Sequence, residues 1–136
     1  MTQEQEQAVE ILVNEYRKKL IETISSENRM IKPSELMNEV MERIVEDVAK
    51  VTMIEVAQIK GRKRQHDIVR ARQLCIYMIY TKVGYSVTLE QIGLIMNKNH
   101  ATVIHSVRII NNYIDTKNKY VMQILDVLND ENKIAA

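Results

Sequence analysis

Apolar residues recur every three to four positions along most of the chain, which is the spacing of amphipathic α-helices. Pro33 suits the first turn of one such helix, where its missing N–H would have no partner. Asp67 is positioned to be the N-cap of another, whose centre is apolar almost all round and is therefore expected to be buried. Up to residue 83, the predicted helices span residues 3–24, 33–50, 52–60 and 67–83.

Three further helices follow, and only three residues separate the first two of them. Thr88 opens the first, and Gln91 three positions later completes the capping-box pattern. An Asn-Lys-Asn turn leads to a second helix that Asn99 can cap. The apolar positions of this second helix are Val103, Ile104, Val107, Ile110 and Ile114. With a last helix at 116–128, the pattern predicts an all-α helical bundle in which two N-terminal helices precede a helix-turn-helix.

Composition agrees with this fold class and excludes several others. Three glycines and one proline leave little material for loops, and without Phe or Trp the core must consist of Ile, Val, Leu, Met and Tyr. The single cysteine, Cys75, excludes an internal disulfide and fits a reducing cytoplasm. No apolar run is long enough to span a membrane, and the polar N-terminus is unlike a signal peptide. The expected location is the cytoplasm, at the nucleoid.

Charge is unevenly distributed, although the net charge is only +1. Residues 1–50 carry 7 Lys and Arg against 11 Asp and Glu, whereas residues 51–136 carry 12 against 7. Between residues 60 and 108, 9 basic residues are opposed only by Asp67 and Glu90. Such a basic segment favours a unit that binds a polyanion, with the acidic part as a separate arm. The alternative is an ordinary solvated surface.

The helix after the Asn-Lys-Asn turn begins with side chains that can read bases, at the end where a helix-turn-helix makes its base contacts. Asn99 can pair with adenine, and Ala101 can pack on a thymine methyl group. Thr102 can form a hydrogen bond or touch that methyl group. His100 can donate to or accept from a base edge, whereas Arg108 lies two turns further on and is better placed for a phosphate. The alternative is that Asn99 only caps the helix and His100 is only a surface residue.

The loop before the long central helix is strongly basic. The cations of this segment and the polar residue that follows them are Lys60, Arg62, Lys63, Arg64, Arg70, Arg72 and Gln73. A helix dipole favours anions at the N-terminus, so it does not explain cations there, and DNA phosphates would supply the missing anion. An arginine in a loop can also enter a narrow minor groove. A merely solvated loop is again the alternative.

From about Ile44 to Leu128, the chain resembles the C-terminal DNA-binding domain of the bacterial replication initiator DnaA. The resemblance rests on "VAKVTMIEVAQIKGRKR", "RARQLCIYM", "TLEQIG" and "NHATVIHSVRII". These segments follow the family's order of basic loop, R-x-R-Q, S-L-x-x-I-G and D-H-T/S-T-V-x-H-A. The resemblance implies a DnaA/TrpR-like helix-turn-helix within a DNA-binding domain at 42–130, between a helical extension at 1–41 and a tail at 131–136.

The resemblance also implies which residues meet the grooves of DNA. Arg64 matches the family's loop arginine that reaches the minor groove. Asn99, His100 and Ala101 match positions that read bases in the major groove, and His105 matches a histidine within the recognition helix. The family usually has Asp where Asn99 stands and Thr or Ser where Ala101 stands, so the target sequence is expected to differ from that of the family.

Phosphate contacts are implied for Arg72, Gln73 and Thr102, and the helix that Thr88 opens would offer backbone N–H groups to a phosphate. The family's Gly-Gly-Arg turn is shortened here, and Lys98 occupies it. The complete set of predicted DNA-binding residues is Arg62, Lys63, Arg64, Arg70, Arg72, Gln73, Thr88, Lys98, Asn99, His100, Ala101, Thr102, His105 and Arg108.

The predicted function is non-enzymatic, sequence-specific binding of double-stranded DNA that regulates replication initiation or transcription. The chain is expected to stand alone without the family's ATPase module, because it contains no P-loop motif. No metal, nucleotide or other cofactor is predicted, since His100 and His105 lack metal-site spacing. The alternative function is that of an adaptor, in which residues 1–41 bind a protein partner or a second copy and DNA binding is secondary or lost.

Overall fold

The computed structural model describes residues 3–27 and 33–130. Within these ranges the chain forms seven α-helices and no β-strand, which confirms the predicted all-α fold. The helices are α1 (Gln3–Glu27), α2 (Pro33–Thr52), α3 (Val56–Ile59), α4 (His66–Val83), α5 (Leu89–Met96), α6 (His100–Asp115) and α7 (Lys119–Asn129). The predicted tail at 131–136 lies outside the described residues.

Several helix ends differ from their predictions by a few residues. Gln65, not Asp67, is the N-cap of α4, and the Asp67 carboxylate instead accepts a hydrogen bond from the Ile68 N–H inside the first turn. The predicted helix at 52–60 is reduced to the single turn of α3, because α2 continues to Thr52 and Met53 adopts a left-handed φ of 60°. The last helix begins three residues late because Lys117 is also left-handed and Asn118 caps the helix.

The central helix α4 is buried, as its apolar sequence predicts. It lies against α1, α2, α3, α5 and α6, so most of the bundle packs around it. Its buried residues are Ile68, Ala71, Arg72, Leu74, Cys75, Ile76, Met78, Ile79 and Val83. Burial raises the pKa of the Cys75 thiol, which is therefore an inert core residue and not an activated nucleophile.

The two N-terminal helices pack on the same core as the rest of the chain. Buried positions of α2 lie on both sides of the predicted boundary at residue 41, with Val40 and Met41 before it and Ile44 after it. On α1, the Tyr16 hydroxyl donates to Asp47 Oδ2 of α2 at 3.0 Å. Burial nevertheless raises the pKa of Asp47. The division into an extension at 1–41 and a domain at 42–130 therefore stays a prediction, and it cuts through α2.

Gly93 permits the tight turn between α5 and α6. Asn97 ends α5 in the left-handed conformation, and the Lys98 N–H donates to the Gly93 carbonyl at 2.8 Å. A Cβ atom on Gly93 would lie 2.4 Å from the Lys98 carbonyl oxygen, which is a backbone atom that cannot turn aside. The helix-turn-helix therefore requires a glycine at this position of α5.

We predict that Gly93→Ala destabilises the protein by about 1–3 kcal/mol, the usual penalty for forcing extra volume into a packed site. In an unobstructed helix the same change would stabilise by up to about 1 kcal/mol, so the sign of the effect is diagnostic. Thermal melting measures it. Leu94→Ala is the matched control, because Leu94 is 81% exposed on the same helix and its loss should change the melting temperature little. A stabilising Gly93→Ala would contradict the close approach.

A fragment of residues 42–130 would lack Leu36, Val40 and Met41, which are buried in the core. Truncating one such side chain typically costs about 2–5 kcal/mol, whereas a whole domain is stable by only about 5–15 kcal/mol. We therefore predict that the full chain melts cooperatively and that this fragment does not, as followed by circular dichroism. A fragment of residues 33–130 separates the contribution of α1. Cooperative melting of 42–130 would instead support the division at residue 41.

Candidate nucleic-acid interface

Helix α6 turns one face to the core and the other to solvent. Val103, Ser106 and Ile110 are buried, and this stripe fixes the orientation of the helix on α4. The residues on the outer face that are exposed to solvent are His100, Ala101, Ile104, His105 and Arg108. Most of the predicted base-reading residues thus share one accessible surface.

Ile104 belongs to the apolar pattern of α6, but its side chain does not face the core. Its side chain is 44% exposed, whereas Ser106 is only 2% exposed and occupies the inward stripe in its place. The apolar pattern alone did not separate Ile104 from its buried neighbour Val103. Ile104 therefore adds an apolar side chain to the outer face, which the sequence-based set of contacts omits.

The N-terminus of α6 is capped as predicted. Asn99 Oδ1 accepts from the Thr102 N–H at 2.9 Å and from the Thr102 hydroxyl at 3.2 Å. A carbonyl oxygen has two lone pairs, so these two bonds leave Oδ1 no further lone pair to accept with. In this arrangement Asn99 can contact a base only through its amide N–H donors. For Asn99 to pair with adenine through both its oxygen and its NH2 group, the Thr102 hydroxyl must stop donating to Oδ1.

The N-terminus of α5 carries the predicted capping box. Thr88 Oγ1 accepts from the Gln91 N–H at 3.1 Å, and the Thr88 N–H donates to Gln91 Oε1 at 2.7 Å. These bonds leave the first helical N–H groups of α5 as the possible phosphate donors. Glu90 lies in the same first turn and would oppose a phosphate there.

Arg72 is turned into the protein, where it holds the basic loop, by which we mean residues 60–65. Its side chain is 8% exposed, and its Nε donates to the Ile59 carbonyl at 2.7 Å. Its Nη2 donates to the carbonyls of Gln58 at 3.3 Å and Lys63 at 3.1 Å. Burial lowers the pKa of this guanidinium. Any phosphate contact of Arg72 would therefore fall to Nη1, so the predicted contact stays a prediction.

The cations of the basic loop are of two kinds, one paired within the protein and three exposed to solvent. Lys60 Nζ lies 2.5 and 2.7 Å from the two carboxylate oxygens of Glu42, so α2 neutralises this charge. The side chains of Arg62, Lys63 and Arg64 are exposed. These three residues form the part of the loop that is accessible to a polyanion.

Lys98 connects the basic loop to the turn of the helix-turn-helix. Its Nζ donates to the Gly61 carbonyl at 2.7 Å, across 37 positions of sequence. Burial lowers the pKa of Lys98, and the neighbouring guanidiniums of Arg72 and Arg62 lower it further. Three cations from the loop, α4 and the turn are thereby brought together beside the N-terminus of α6.

Arg70 contacts an aromatic ring. Its guanidinium carbon is 3.9 Å from the centre of the Tyr120 ring, a cation–π contact that joins α4 to α7. Its Nε is buried, and among the described residues no acceptor is within hydrogen-bonding distance of it. Gln73 is half-buried on α4. The predicted DNA contacts of Arg70 and Gln73 stay predictions.

The described ranges 3–27 and 33–130 also bear on metal sites and membrane spans. No group of His, Cys, Asp and Glu side chains there is arranged to hold a metal ion. No helix in these ranges is both long and apolar enough to cross a membrane.

Comparison with known proteins points to one family. The family model described as the bacterial dnaA protein helix-turn-helix matches residues 41–110 of the chain. This stretch includes α3, α4, α5 and the first two thirds of α6, and therefore the basic loop and the turn that Lys98 occupies.

The similar curated proteins include several named chromosomal replication initiator protein DnaA. That of Porphyromonas gingivalis is 36% identical over 73 residues, which cover 53% of this chain and 15% of the relative. That of Wolbachia pipientis is 33% identical over 85 residues, which cover 62% of this chain and 18% of the relative. That of Flavobacterium psychrophilum is 30% identical over 120 residues, which cover 76% of this chain and 24% of the relative. The chain thus spans less than a quarter of their length. No solved structure is significantly similar to it.

Proposed function

The chain belongs to the bacterial dnaA protein helix-turn-helix family, and on that premise we propose that it binds double-stranded DNA sequence-specifically to regulate replication initiation or transcription. The observation that carries the proposal is the shared outer face at the N-terminus of α6, with the exposed basic loop tied beside it by Lys98. We propose a non-enzymatic role at the nucleoid. The initiator activity in the names of the longer relatives is a hypothesis for this chain.

In the proposed complex, α6 enters the major groove through its N-terminal turns. Asn99 offers its amide N–H groups to an acceptor on a base edge, because its oxygen is engaged by Thr102. His100 and His105 contact bases or phosphates beside it. Ala101 and Ile104 are both exposed, one turn apart, and supply an apolar surface for a thymine methyl group.

The basic loop supplies the second half of the proposed contact. Arg64 is the candidate for the minor groove, where a narrow A·T-rich segment concentrates negative potential. Arg62 and Lys63 are exposed beside it and are suited to phosphates. Arg108 extends the cationic surface along α6, towards the backbone two turns from the base-reading end.

The adaptor function remains the alternative, with residues 1–41 as its docking segment. Because α1 and α2 pack on the common core, these helices are not a free arm in the structure. Ile11, an exposed apolar residue of α1, offers a contact for a partner or a second copy. Sedimentation of the full chain and an Ile11→Glu variant, with and without DNA, distinguishes self-association through α1 from DNA binding alone.

We predict that the double change Lys63→Ala and Arg64→Ala weakens binding to all duplexes. The slope of log affinity against log salt should flatten by about 0.9 for each lost phosphate contact. Fluorescence anisotropy at several salt concentrations measures this slope. Lys117→Ala with Lys119→Ala removes the same charge at the opposite end of α6, about 24 Å away along a helix of this length, and should leave the slope nearly unchanged. Equal slopes for both double variants would mean that the loop is merely solvated.

We predict that Asn99→Asp changes which bases are selected while the fold is retained. Asp and Asn cap helices about equally well, but a carboxylate only accepts hydrogen bonds, so preference should shift towards a base with an amino donor, such as cytosine. A changed base contact should alter discrimination by about 1–3 kcal/mol. Selection from a random duplex pool, with melting curves alongside, tests this.

Three further variants complete the same selection experiment. His100→Ala should lower specific binding and leave the melting temperature nearly unchanged. Ala101→Thr restores the residue usual in the family and should draw the selected site towards an A·T-rich box. Ile104→Ala should weaken preference for thymine at one position. If wild type and all variants select the same site, the helix end is only a cap.

A further inference from the structure

The Lys98 side chain makes a contact that an ordinary surface lysine would not make. It reaches from the turn of the helix-turn-helix to the Gly61 carbonyl of the basic loop, at 2.7 Å. It is half-buried, and the charged groups that act on it, Arg72 and Arg62, are both cationic. A cation is disfavoured beside two others, so the hydrogen bond to Gly61 is the interaction that holds the ammonium in this position.

Both ends of this contact belong to backbone that is otherwise fixed. On the loop side, Arg72 donates to the carbonyls of Gln58, Ile59 and Lys63, on both sides of Gly61. On the helix side, the Lys98 N–H is bonded to the Gly93 carbonyl, and the next residue caps α6. A displacement of the loop relative to α6 beyond the reach of the Lys98 side chain therefore breaks its bond to Gly61.

We propose that Lys98 is a positioning residue that couples the basic loop to the N-terminus of α6, so that the protein contacts the two grooves at one fixed spacing. The proposal rests on the proposed DNA-binding function. It differs from a phosphate contact by Lys98, because the bonded partner is the loop backbone and the effect on DNA is exerted through Arg64 and Asn99.

The direct test is a double-mutant cycle on the full chain with Lys98→Met and Arg64→Ala. Affinity is measured for the duplex selected by the wild type and for a scrambled duplex. Lys98→Met should reduce the ratio of the two affinities about tenfold, and Arg64→Ala should then reduce it little further, since coupled residues are not additive. Lys98→Arg keeps a cationic donor and should restore much of the ratio. Lys119→Met is the matched control, at an exposed lysine of α7.

Other roles of Lys98 give different results. If Lys98 only contacted a phosphate, Lys98→Met would lower both affinities by the same factor and flatten the slope of log affinity against log salt by about 0.9. Its effect on the free energy of binding would then add to that of Arg64→Ala. A purely structural role would lower the melting temperature and leave the affinity ratio unchanged. Either result overturns the coupling. If the wild type does not distinguish the duplexes at all, the proposed function itself fails.

A second measurement does not depend on the folding of Lys98→Met. The base pairs whose selection changes in Arg64→Ala and those whose selection changes in Asn99→Asp are located within the selected site. Coupling requires one spacing between them in the wild type. Inserting one base pair between them should weaken binding by about tenfold or more, the order of one mismatched base pair. Tolerance of variable spacing by the wild type would contradict the proposal.

Discussion

The guanidinium of Arg72 is buried beside the start of α4, where it donates to three backbone carbonyls of the preceding segment. Removing a cation from water costs several kcal/mol, and hydrogen bonds that involve a charged group each return about 1.5–3 kcal/mol. Burial of Arg72 is therefore tolerable only while the carbonyls of Gln58, Ile59 and Lys63 converge on it. The same bonds oblige the chain between α3 and α4 to adopt one path, so the position of the basic loop depends on this interaction.

The position of α6 is set by a different kind of constraint. The missing Cβ of Gly93 permits the backbone at Lys98 to come close, and Asn97 supplies the left-handed residue that ends α5. Val103 and Ile110 then fix the rotation of α6 about its own axis by burial on the core. The hydrogen bonds of Arg72 thus order the loop. The tight turn and two buried side chains order the helix, and Lys98 joins the loop to the turn. A binding surface built on supported elements in this way has less conformational entropy to lose on meeting a ligand.

Local signals predicted much of this structure from sequence. The caps at Thr88 and Asn99 depend on residues three positions apart, so their spacing in the sequence was sufficient. Features that depend on partners distant in sequence were not predicted: Glu42 pairs with Lys60 across 18 positions, and Lys98 reaches Gly61 across 37. Ile104 was missed for another reason. It adjoins the buried stripe of α6, and hydrophobicity alone does not indicate which of two neighbouring apolar residues faces inward.

Because of these long-range partners, the number of cations in the sequence overstates the number that are exposed. Nine cations lie between residues 60 and 108, but Arg72 is buried on carbonyls, Lys60 is paired with Glu42, and Arg70 lies over an aromatic ring. The cations of this stretch that are exposed are Arg62, Lys63, Arg64 and Arg108. Since long-range attraction and counterion release depend on charge that can reach phosphate, the electrostatic surface is smaller than the composition indicates. It is also concentrated in the loop, so the same chain segment supplies most of the attraction and the proposed reading of the minor groove. The internal cations have the complementary role of holding that segment in place.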